Sequence, residues 1–431
     1  MKRVAILGAD FAPSSLPPAL RLRFFASHLP AFGWEPTVVT THPRHYDWPI
    51  DPANLALLPP ELRVIRTGAL PARLTRRLGV GDIGMRSLPF HWAALAQLCA
   101  RRQIDMLCIP VPPYVPMVLG RIINAQFGVP YMIDYIDPWV TEYYWKLPPA
   151  QRPPKWPLAN AIAKLCEPFA LRRVAHITGV SQATTDDVAD RYAWLQRSDG
   201  SAIAYGGEPA DFAYLRRHPR RNPVFTRHDG LLHLCHVGRG GSDMLATVRA
   251  IFSAFRLGLA HDPTLFERVR LHFVGTSYSH RPDDFQFLPL AEAMGLAAYV
   301  DELPLRVPYL DSLQILLEAD ALLAVGSEAP HYTASKIFPY ILARRPLLAV
   351  FHEASSVIST LRETGAGEWV EFSADRPIEL QAERIFVALQ RLLRDPWAEP
   401  TPLALDAFIP FTARAMAARL AERFDIALSK A

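Results

Sequence analysis

Residues 326–345 read Gly-Ser-Glu-Ala-Pro-His-Tyr-Thr-Ala-Ser-Lys-Ile-Phe-Pro-Tyr-Ile-Leu-Ala-Arg-Arg, and they are the most informative stretch of the chain. Apolar runs at residues 321–325 and 346–350 flank it and predict two buried strands, joined through a polar loop and a short helix. The helix is predicted to begin at Ser335 and Lys336, where free backbone N–H groups and the helix dipole favour an anion. Lys336 adds a full positive charge. The stretch therefore predicts a site for a nucleotide or a sugar phosphate.

The composition of the chain is that of a globular protein with two or three domains. Of its 431 residues, 50% are hydrophobic and 20% are charged, and the formal net charge of +4 gives no reason to expect a nucleic-acid partner. The four cysteines show no disulfide or metal-binding spacing, so we predict free thiols and no metal site. No apolar run approaches the roughly 20 residues of a membrane span. We expect a cytoplasmic protein, with the inner face of the membrane as an alternative location.

Short apolar runs alternate with amphipathic stretches, a pattern that predicts parallel sheets covered by helices on both faces. The pattern occupies residues 1–211, pauses in a basic, proline-containing stretch at 212–230, and restarts over 231–406. The predicted fold class is α/β, with two doubly wound Rossmann-like lobes facing a cleft and 212–230 as the linker. A helix within 407–431 is expected to pack back on the first lobe. Ligands of such sheets bind outside the carboxyl ends of the strands.

The first lobe carries candidate acceptor contacts close to two of its predicted strands. Asp134 and Asp137 lie at and beyond the end of the strand that starts at residue 131, and Ser14 and Arg21 lie in and after the proline-containing loop that follows residue 7. A carboxylate at this edge can orient a sugar hydroxyl or accept its proton. We predict acceptor contacts for Ser14, Arg21 and Asp134 and a catalytic role for Asp137. The alternatives are a salt bridge for Arg21 and a turn cap for one aspartate.

Loops of the second lobe are predicted to surround a donor nucleotide. The loop His-Val-Gly-Arg-Gly-Gly-Ser-Asp at 236–243 lets backbone approach a ligand, and Arg239 offers a fork for phosphate oxygens. Arg239 and Lys336 are predicted to be catalytic. The predicted donor-binding residues are Gly238, Gly240, Gly275, Thr276, Glu328, His331 and Ser335. Plain glycine turns and a histidine bonded to backbone are the structural alternatives.

In their order and spacing these segments resemble a retaining glycosyltransferase of the GT-B fold, in the family 4-like (group 1) class. Residues 128–139, Gly-Val-Pro-Tyr-Met-Ile-Asp-Tyr-Ile-Asp-Pro-Trp, are similar to the family's G-x-P-x-x-x-D-x-R-D-P-W segment. Residues 236–239 are similar to its donor-phosphate loop, and residues 335–343 to its lysine helix. His331 and Pro339 stand where the family has two glutamates, so the resemblance does not imply which donor is used.

The resemblance implies an enzyme that moves a sugar from a nucleotide-diphosphate sugar to a glycan, lipid-linked or other acceptor, in surface polysaccharide or glycolipid biosynthesis. No D-x-D motif is present, so Arg239, Lys336 and helix N-termini are expected to neutralise the leaving group without a metal ion or a cofactor. A front-face reaction with retention needs no protein nucleophile. The alternatives are a catalytically silent sugar-nucleotide-binding or scaffold protein and a nucleotide-sugar epimerase of the same architecture.

A membrane surface is a second expected partner. Residues 63–86 interleave arginines with apolar residues, and residues 155–173 form a basic, apolar helix candidate. Either stretch could lie on anionic headgroups. A solvated basic face is the alternative for both.

Overall fold

The computed structural model describes residues 1–141, 152–153, 155–279, 281–329, 332, 335–396 and 405–429. The chain forms two compact units, unit 1 made of Met1–Gly206 with Ala413–Ala431, and unit 2 made of Gly207–Thr412. Each unit contains one parallel β-sheet, so the predicted fold class of two doubly wound α/β units is confirmed. None of the helices within the described ranges is long and apolar enough to cross a membrane.

Unit 1 is a parallel sheet with a packed apolar layer on each face. Its strands are β1 (Lys2–Leu7), β2 (Trp34–Thr41), β3 (Arg63–Thr67), β4 (Met106–Val111), β5 (Tyr131–Tyr135), β6 (His176–Gly179) and β7 (Gly200–Ala202), in the order β3-β2-β1-β4-β5-β6-β7. Its helices include α1 (Pro17–His28), α2 (Ala72–Thr75), α3 (Ile83–Ala100), α4 (Val118–Phe127), α5 (Trp156–Leu171) and α6 (Gln182–Arg191). Alternate residues of β1 enter the two layers, Val4 and Ile6 in one and Ala5 and Leu7 in the other.

Unit 2 repeats this architecture with six strands. Its helices are α7 (Pro209–Arg217), α8 (Leu245–His261), α9 (Pro263–Phe266), α10 (Leu288–Ala293), α11 (Tyr309–Glu318), α12 (Ile337–Ala343), α13 (Ser356–Thr364), α14 (Ala382–Arg394) and α15 (Leu405–Phe408). Its strands are β8 (Leu232–Val237), β9 (Val269–Val274), β10 (Val300–Leu303), β11 (Ala321–Val325), β12 (Leu347–His352) and β13 (Glu368–Phe372), in the order β10-β9-β8-β11-β12-β13. Every residue of β8 and β11 is buried, as the continuous apolar sequence of β11 predicts, and β8 buries His233 and His236 as well.

The structure differs from the linker predicted at residues 212–230. The first part of that stretch belongs to α7, and unit 2 already begins at Gly207. Phe212 and Leu215 give α7 a buried apolar side, and its last turn carries two arginines, which suit the negative end of a helix. The hydroxyl of Tyr309 in α11 donates to Asp211 at 2.6 Å. The basic composition that suggested a linker is therefore partly the end of a packed helix.

The last helix of the chain, α16 (Ala413–Ser429), belongs to unit 1, as predicted for the C-terminal helix. Its Phe424 ring meets the ring of Trp34 edge-on at 5.1 Å, and the indole Nε1 of Trp34 donates to Oδ1 of Asp425 at 2.9 Å. The helix begins later than the predicted residue 407, because residues 405–411 form α15 and a short 3-10 turn before it.

Arg21 and Asp134, two of the predicted acceptor contacts, are instead a fully buried ion pair. The Nε and Nη2 atoms of Arg21 donate to the two carboxylate oxygens of Asp134 at 2.7 and 2.8 Å, and both side chains are 0% exposed. Thr178 donates to the same carboxylate at 2.7 Å, and Nη2 of Arg21 also donates to the carbonyl oxygen of Ile203 at 2.8 Å. These bonds tie α1 to β5, β6 and the chain after β7. The salt-bridge alternative for Arg21 is the one that the structure supports.

Substituting Asp134→Ala should lower the free energy of unfolding of unit 1 by about 3–5 kcal/mol, because it leaves a buried guanidinium without its carboxylate. The matched control is Asp105→Ala, which breaks an Arg3 pair whose side chains are 40% and 32% exposed. Its loss should cost about 0–1 kcal/mol. Urea unfolding of the two variants measures both values. Equal losses of unfolding free energy in the two variants would show that the buried pair stabilises unit 1 no more than the exposed pair does.

Candidate active site

The sheet of unit 2 changes its winding direction between β8 and β11, which are neighbours in the sheet but far apart in the chain. In open parallel sheets the loops that follow two such strands diverge and leave a crevice at their carboxyl ends. Here these loops begin at Gly238 and Gly326. One carries Arg239 and the other leads to Lys336. The topology therefore brings the two predicted catalytic cations to one edge of one sheet.

Arg239 is held in a bidentate ion pair with Asp243. Its Nη1 and Nη2 atoms donate to Oδ1 and Oδ2 of Asp243 at 3.0 and 2.7 Å. The hydrogen bonds of this pair raise the pKa of Arg239 above its ordinary value and lower the pKa of Asp243. The two side chains are 22% and 42% exposed, so solvent screens the pair.

Tyr332 supports the guanidinium of Arg239 from the other loop. The Cζ atom of Arg239 lies 4.5 Å from the centroid of the Tyr332 ring, within cation–π distance. The Tyr332 ring is parallel to that of Phe351 in β12, with centroids 6.2 Å apart. The backbone N–H of Glu328 donates to the carbonyl oxygen of Asp243 at 2.9 Å. The loops after β8 and β11 are thus joined through Arg239 and Asp243.

Lys336 lines the same cavity as Arg239, together with Gly238 and Tyr332. Part of its side chain is exposed. The surrounding protein desolvates its ammonium group, and the positive charges of Arg306 and Arg239 repel it, so the pKa of Lys336 falls to about 7. An anion in the cavity would oppose all of these effects by stabilising the charged form. The cavity is therefore suited to a negatively charged ligand.

Buried polar side chains fix the end of β8 at the cavity. The hydroxyl of Tyr340 accepts from the N–H of Val237 at 2.6 Å and lies 3.2 Å from the carbonyl oxygen of the same residue. The ring nitrogens of His236 lie 3.0 and 3.3 Å from the carbonyl oxygens of Leu323 and Arg239. Burial lowers the pKa of His236 to about 4, so its ring is neutral at pH 7. Neither side chain adds a charge to the cavity.

The two glycines predicted to contact the donor have different surroundings. A Cβ atom on Gly240 would lie 2.8 Å from the Cβ atom of Gln286, so this position is required for packing between loops. A Cβ atom on Gly238 would lie 3.0 Å from Nε2 of His236 and 3.4 Å from Cδ of Lys336. The absence of a side chain at Gly238 therefore leaves room for Lys336, and Gly238 itself lines the cavity.

Gly275 and Thr276 shape the neighbouring loop, and neither lines the cavity. Gly275 has a φ of +74°, which favours glycine. The hydroxyl of Thr276 donates to Oε1 of Glu302 at 2.5 Å. The carboxylate of Glu302 also accepts from the N–H groups of Phe287 and Leu288 at 2.9 and 2.7 Å, which caps the start of α10. Both predicted contacts therefore have structural roles.

The helix that was predicted to start at Ser335 starts at Ile337 and has only seven residues. So short a helix has a small dipole, and the positive charge here comes mainly from Lys336 itself. Ser335 is half-buried in the turn before the helix, and Glu328 is exposed in the loop after β11. His331 lies outside the described residues.

Asp137 is the predicted unit 1 residue that stays accessible. The Tyr114 hydroxyl donates to the carbonyl oxygens of Asp137 and Pro138 at 3.2 and 3.4 Å, and the Tyr114 ring stacks on Trp139 at 5.3 Å. These contacts fix the backbone of Asp137 while its side chain remains exposed. Desolvation by neighbouring groups raises the pKa of the Asp137 carboxyl.

Ser14, the remaining predicted acceptor contact, is buried and bonded within unit 1. Its hydroxyl donates to Oδ2 of Asp10 at 3.0 Å and accepts from Nε1 of Trp48 at 3.1 Å. Asp10 follows β1, which adjoins β4 at the point where the unit 1 sheet changes its winding direction. Burial raises the pKa of Asp10 to about 7. Ser14 therefore holds a buried carboxyl in place and is not itself exposed to an acceptor.

Sequence reasoning missed the roles of three residues. Tyr332 and Glu302 act through neighbours that only the fold brings near, and neither has a local signal. Asp10 had one, since it is an acid in the loop after a buried first strand. The four-residue spacing of Arg239 and Asp243 was also readable as a side-chain pair.

Residues 18–199, most of the unit 1 part that precedes Gly206, match the family model of a glycosyl transferase 4-like domain. A second observation is the fold itself, which has two doubly wound sheets of seven and six strands. The chain therefore contains a glycosyl transferase 4-like domain within a fold of the GT-B type. The predicted recognition and enzyme class are thereby confirmed, while retention stays a prediction.

Solved structures resemble this glycosyltransferase over its whole length. HepE of Anabaena, solved in complex with UDP and glucose, is 15% identical with a TM-score of 0.59, over 99% of this chain and 100% of that chain. A glycosyltransferase of Rickettsia africae is 11% identical with a TM-score of 0.58, over 99% and 98%. A UDP-forming α,α-trehalose-phosphate synthase of Burkholderia vietnamiensis is 14% identical with a TM-score of 0.57, over 100% of both chains. At these identities the likeness concerns the fold. No curated protein matches the chain.

The Asp10→Asn variant of the glycosyltransferase should gain stability relative to the wild type as pH rises from about 4 to 7. The folded carboxyl has a pKa of about 7 and the unfolded one about 3.8, so the wild type loses stability across this window, by up to about 1.4 kcal/mol per pH unit. Urea unfolding at several pH values measures the difference. Asp105→Asn is the control, because Arg3 lowers the pKa of Asp105 and places its window below about pH 4. Parallel curves for Asp10→Asn and the wild type would show that Asp10 is charged throughout.

Proposed function

We propose that this glycosyltransferase moves a sugar from a nucleoside-diphosphate sugar, of the UDP-sugar class, to a hydroxyl of a glycan or lipid-linked acceptor in surface polysaccharide or glycolipid biosynthesis. The donor's diphosphate binds unit 2 at Arg239 and Lys336. HepE, which shares the fold, was solved with UDP and glucose, and this supports the choice of donor class.

The observation that carries the proposal is the joint lining of one cavity by Arg239 and Lys336 at the switch point of the unit 2 sheet. Both side chains are cationic when protonated, and a diphosphate carries two or more negative charges. Lys336 has its pKa lowered by desolvation and by Arg306 and Arg239, so a bound phosphate relieves an existing repulsion. Arg239 has a planar fork that matches phosphate oxygens.

The Arg239–Asp243 ion pair affects how much positive charge each of the two cations offers to a bound diphosphate. In the free protein, the carboxylate of Asp243 holds the guanidinium of Arg239 in place and partly neutralises its positive charge. Because the pair is partly exposed, exchanging the carboxylate for a phosphate costs little. Lys336 then supplies most of the added positive charge, and Arg239 supplies directed hydrogen bonds. Electrostatic stabilisation of the leaving diphosphate follows from these two groups and needs no metal ion.

The transfer step breaks the bond between the anomeric carbon and the diphosphate oxygen and forms a bond from that carbon to the acceptor oxygen on the same face. The proton of the acceptor hydroxyl passes to the departing phosphate oxygen, so the anomeric configuration is retained. Asp137 contributes a fixed, accessible carboxyl that orients the acceptor hydroxyl. No protein nucleophile and no cofactor takes part.

A catalytically silent sugar-nucleotide-binding protein is the second candidate. It is favoured by Pro339, which stands in α12 where the family has a glutamate, and by the ion pair that already occupies Arg239. Such a protein would bind the donor and release no UDP. The same experiment separates the two functions.

The test is to incubate the purified protein with a panel of UDP-sugars, with and without glycan and lipid-linked acceptors, and to follow UDP release. We expect release that depends on the acceptor, that persists in the presence of EDTA, and that gives a product with the donor's anomeric configuration by NMR. Donor binding without UDP release would favour the silent protein. Conversion of the donor sugar into its epimer would identify an epimerase instead.

The Lys336→Met variant should lower kcat/KM for transfer by roughly 10²–10³, the loss typical of a group that stabilises developing charge. Lys2→Met is the control, because Lys2 forms a half-exposed pair with Asp425 in unit 1. Steady-state kinetics on both variants with one donor and acceptor measures the effect. If the Lys336→Met variant were as active as the control, Lys336 would have no role in the transfer step.

UDP affinity should fall as pH rises above about 7, by up to about tenfold per pH unit. The pKa of Lys336 is about 7 in the free protein and rises when the diphosphate binds, so binding takes up a proton in this range. Titration calorimetry at pH 8, in buffers of different ionisation enthalpy, measures that proton. The Lys336→Met variant should bind UDP without proton uptake. Equal uptake by the variant would assign the proton to another group.

A further inference from the structure

The outward side of α5 is apolar. Leu158, Leu165 and Phe169 are 60%, 75% and 49% exposed, and their spacing places them along one side of the helix. Ala163 and Ala170, on the other side, are buried within unit 1. Soluble helices usually show the reverse arrangement, with polar residues toward solvent. The exposed stripe of Leu158, Leu165 and Phe169 is therefore a surface that the fold of unit 1 does not explain.

Positive charges border this stripe, and no carboxylate does so within the helix. Lys155, Lys164 and Arg172 are exposed at its start, middle and end. Trp156–Leu171 is described throughout and contains one acid, Glu167, which is fully buried and accepts hydrogen bonds from Tyr135, Tyr192 and Arg191. The exposed side of α5 is consequently both apolar and cationic.

Two elements near α5 also expose aromatic side chains. Arg172 places its guanidinium over the ring of Trp194, at 4.7 Å, and Trp194 is 40% exposed. Phe127 at the end of α4 is 39% exposed, and α4 packs beside α5. Paired tryptophan and arginine side chains suit the boundary between water and lipid, because each has an apolar body and a polar tip.

The other basic stretch, residues 63–86, is used differently. Arg86 is buried and donates to Asp47 at 2.7 Å, and Arg66 donates to the carbonyl oxygen of Ala12 at 2.8 Å. These arginines hold the loops of unit 1 together. Arg73 and Arg77 stay exposed in the same stretch, so only part of it is used inside unit 1, and the surface proposed below is the one on α5.

We propose that the stripe of Leu158, Leu165 and Phe169 docks unit 1 on an anionic phospholipid bilayer. The three side chains enter the boundary between headgroups and acyl chains, while Lys155, Lys164 and Arg172 pair with lipid phosphates. A second copy of the chain is the poorer occupant, because stacking two such helices would bring lysine and arginine side chains of like charge together. The proposal goes beyond sugar transfer and holds for any substrate of the enzyme.

The experiment is sedimentation of the full-length protein with vesicles of phosphatidylcholine alone or with added phosphatidylglycerol, without nucleotide or acceptor. We expect binding to the anionic vesicles that weakens as salt is raised. The double variant Leu165→Ser/Phe169→Ser should bind at least roughly tenfold more weakly, because two apolar side chains are lost from the contact. Lys164→Glu should lose binding to anionic vesicles while it keeps the apolar stripe.

The matched control is Leu380→Ser in unit 2, since Leu380 is 76% exposed and Leu165 is 75% exposed. It should bind vesicles like the wild type, and unchanged thermal unfolding of each variant would show that the fold is intact. Equal binding by the double variant and the wild type would overturn the proposal. Failure of the wild type to bind anionic vesicles, or a dimer in light scattering that the double variant abolishes, would overturn it as well. Because no donor is present, none of these results depends on the proposed transfer reaction.

Discussion

The ion pair between Arg239 and Asp243 holds the carboxyl edge of the unit 2 sheet in the arrangement on which the site depends. The carbonyl oxygen of Asp243 accepts from the loop after β11, and Arg239 packs on Tyr332 of that same loop. Half-exposed pairs of this kind add little free energy, so the importance of this one is positional. A weak but well-directed pair keeps the guanidinium in place and still allows a stronger anion to replace the carboxylate.

Both units use buried polar side chains to fix the ends of their strands. In unit 2, Tyr340 binds the backbone of Val237 and Glu302 caps α10, while in unit 1 Asp134 links Arg21 with Thr178. Each of these groups has hydrogen-bond partners at short distances, which offsets the cost of burial. The rigid edges that result are where the exposed cations and carboxyls can be held in a defined geometry.

The central strands could be predicted from the sequence, because a strand that is buried on both faces has a continuous run of apolar residues. The limits predicted for β11, residues 321–325, agree with the structure. β13 was missed, since it lies at the edge of its sheet and reads Glu-Trp-Val-Glu-Phe, with charged residues between apolar ones. The amphipathic helix α14 was also missed, although Ile385, Leu389 and Leu392 are spaced as on one side of a helix.

The candidate site could be predicted only in part. Arg239 and Lys336 were placed correctly at one sheet edge, because parallel topology fixes which strand ends meet. That Arg21 and Asp134 pair with each other could not be predicted, since α1 and β5, which carry them, are distant in the sequence. The predicted role of Ser14 failed for a similar reason, because Asp10 and Trp48 enclose it only after folding.

Helix α16 has a consequence for how the polypeptide is made. It lies after the whole of unit 2 in the chain, yet its Met416, Leu420 and Phe424 are buried in the core of unit 1. During synthesis on the ribosome, unit 2 is complete before unit 1 receives its last layer of side chains. The nascent unit 1 must therefore wait with part of its apolar surface uncovered, and a chain that stops before Ala413 leaves that surface open permanently.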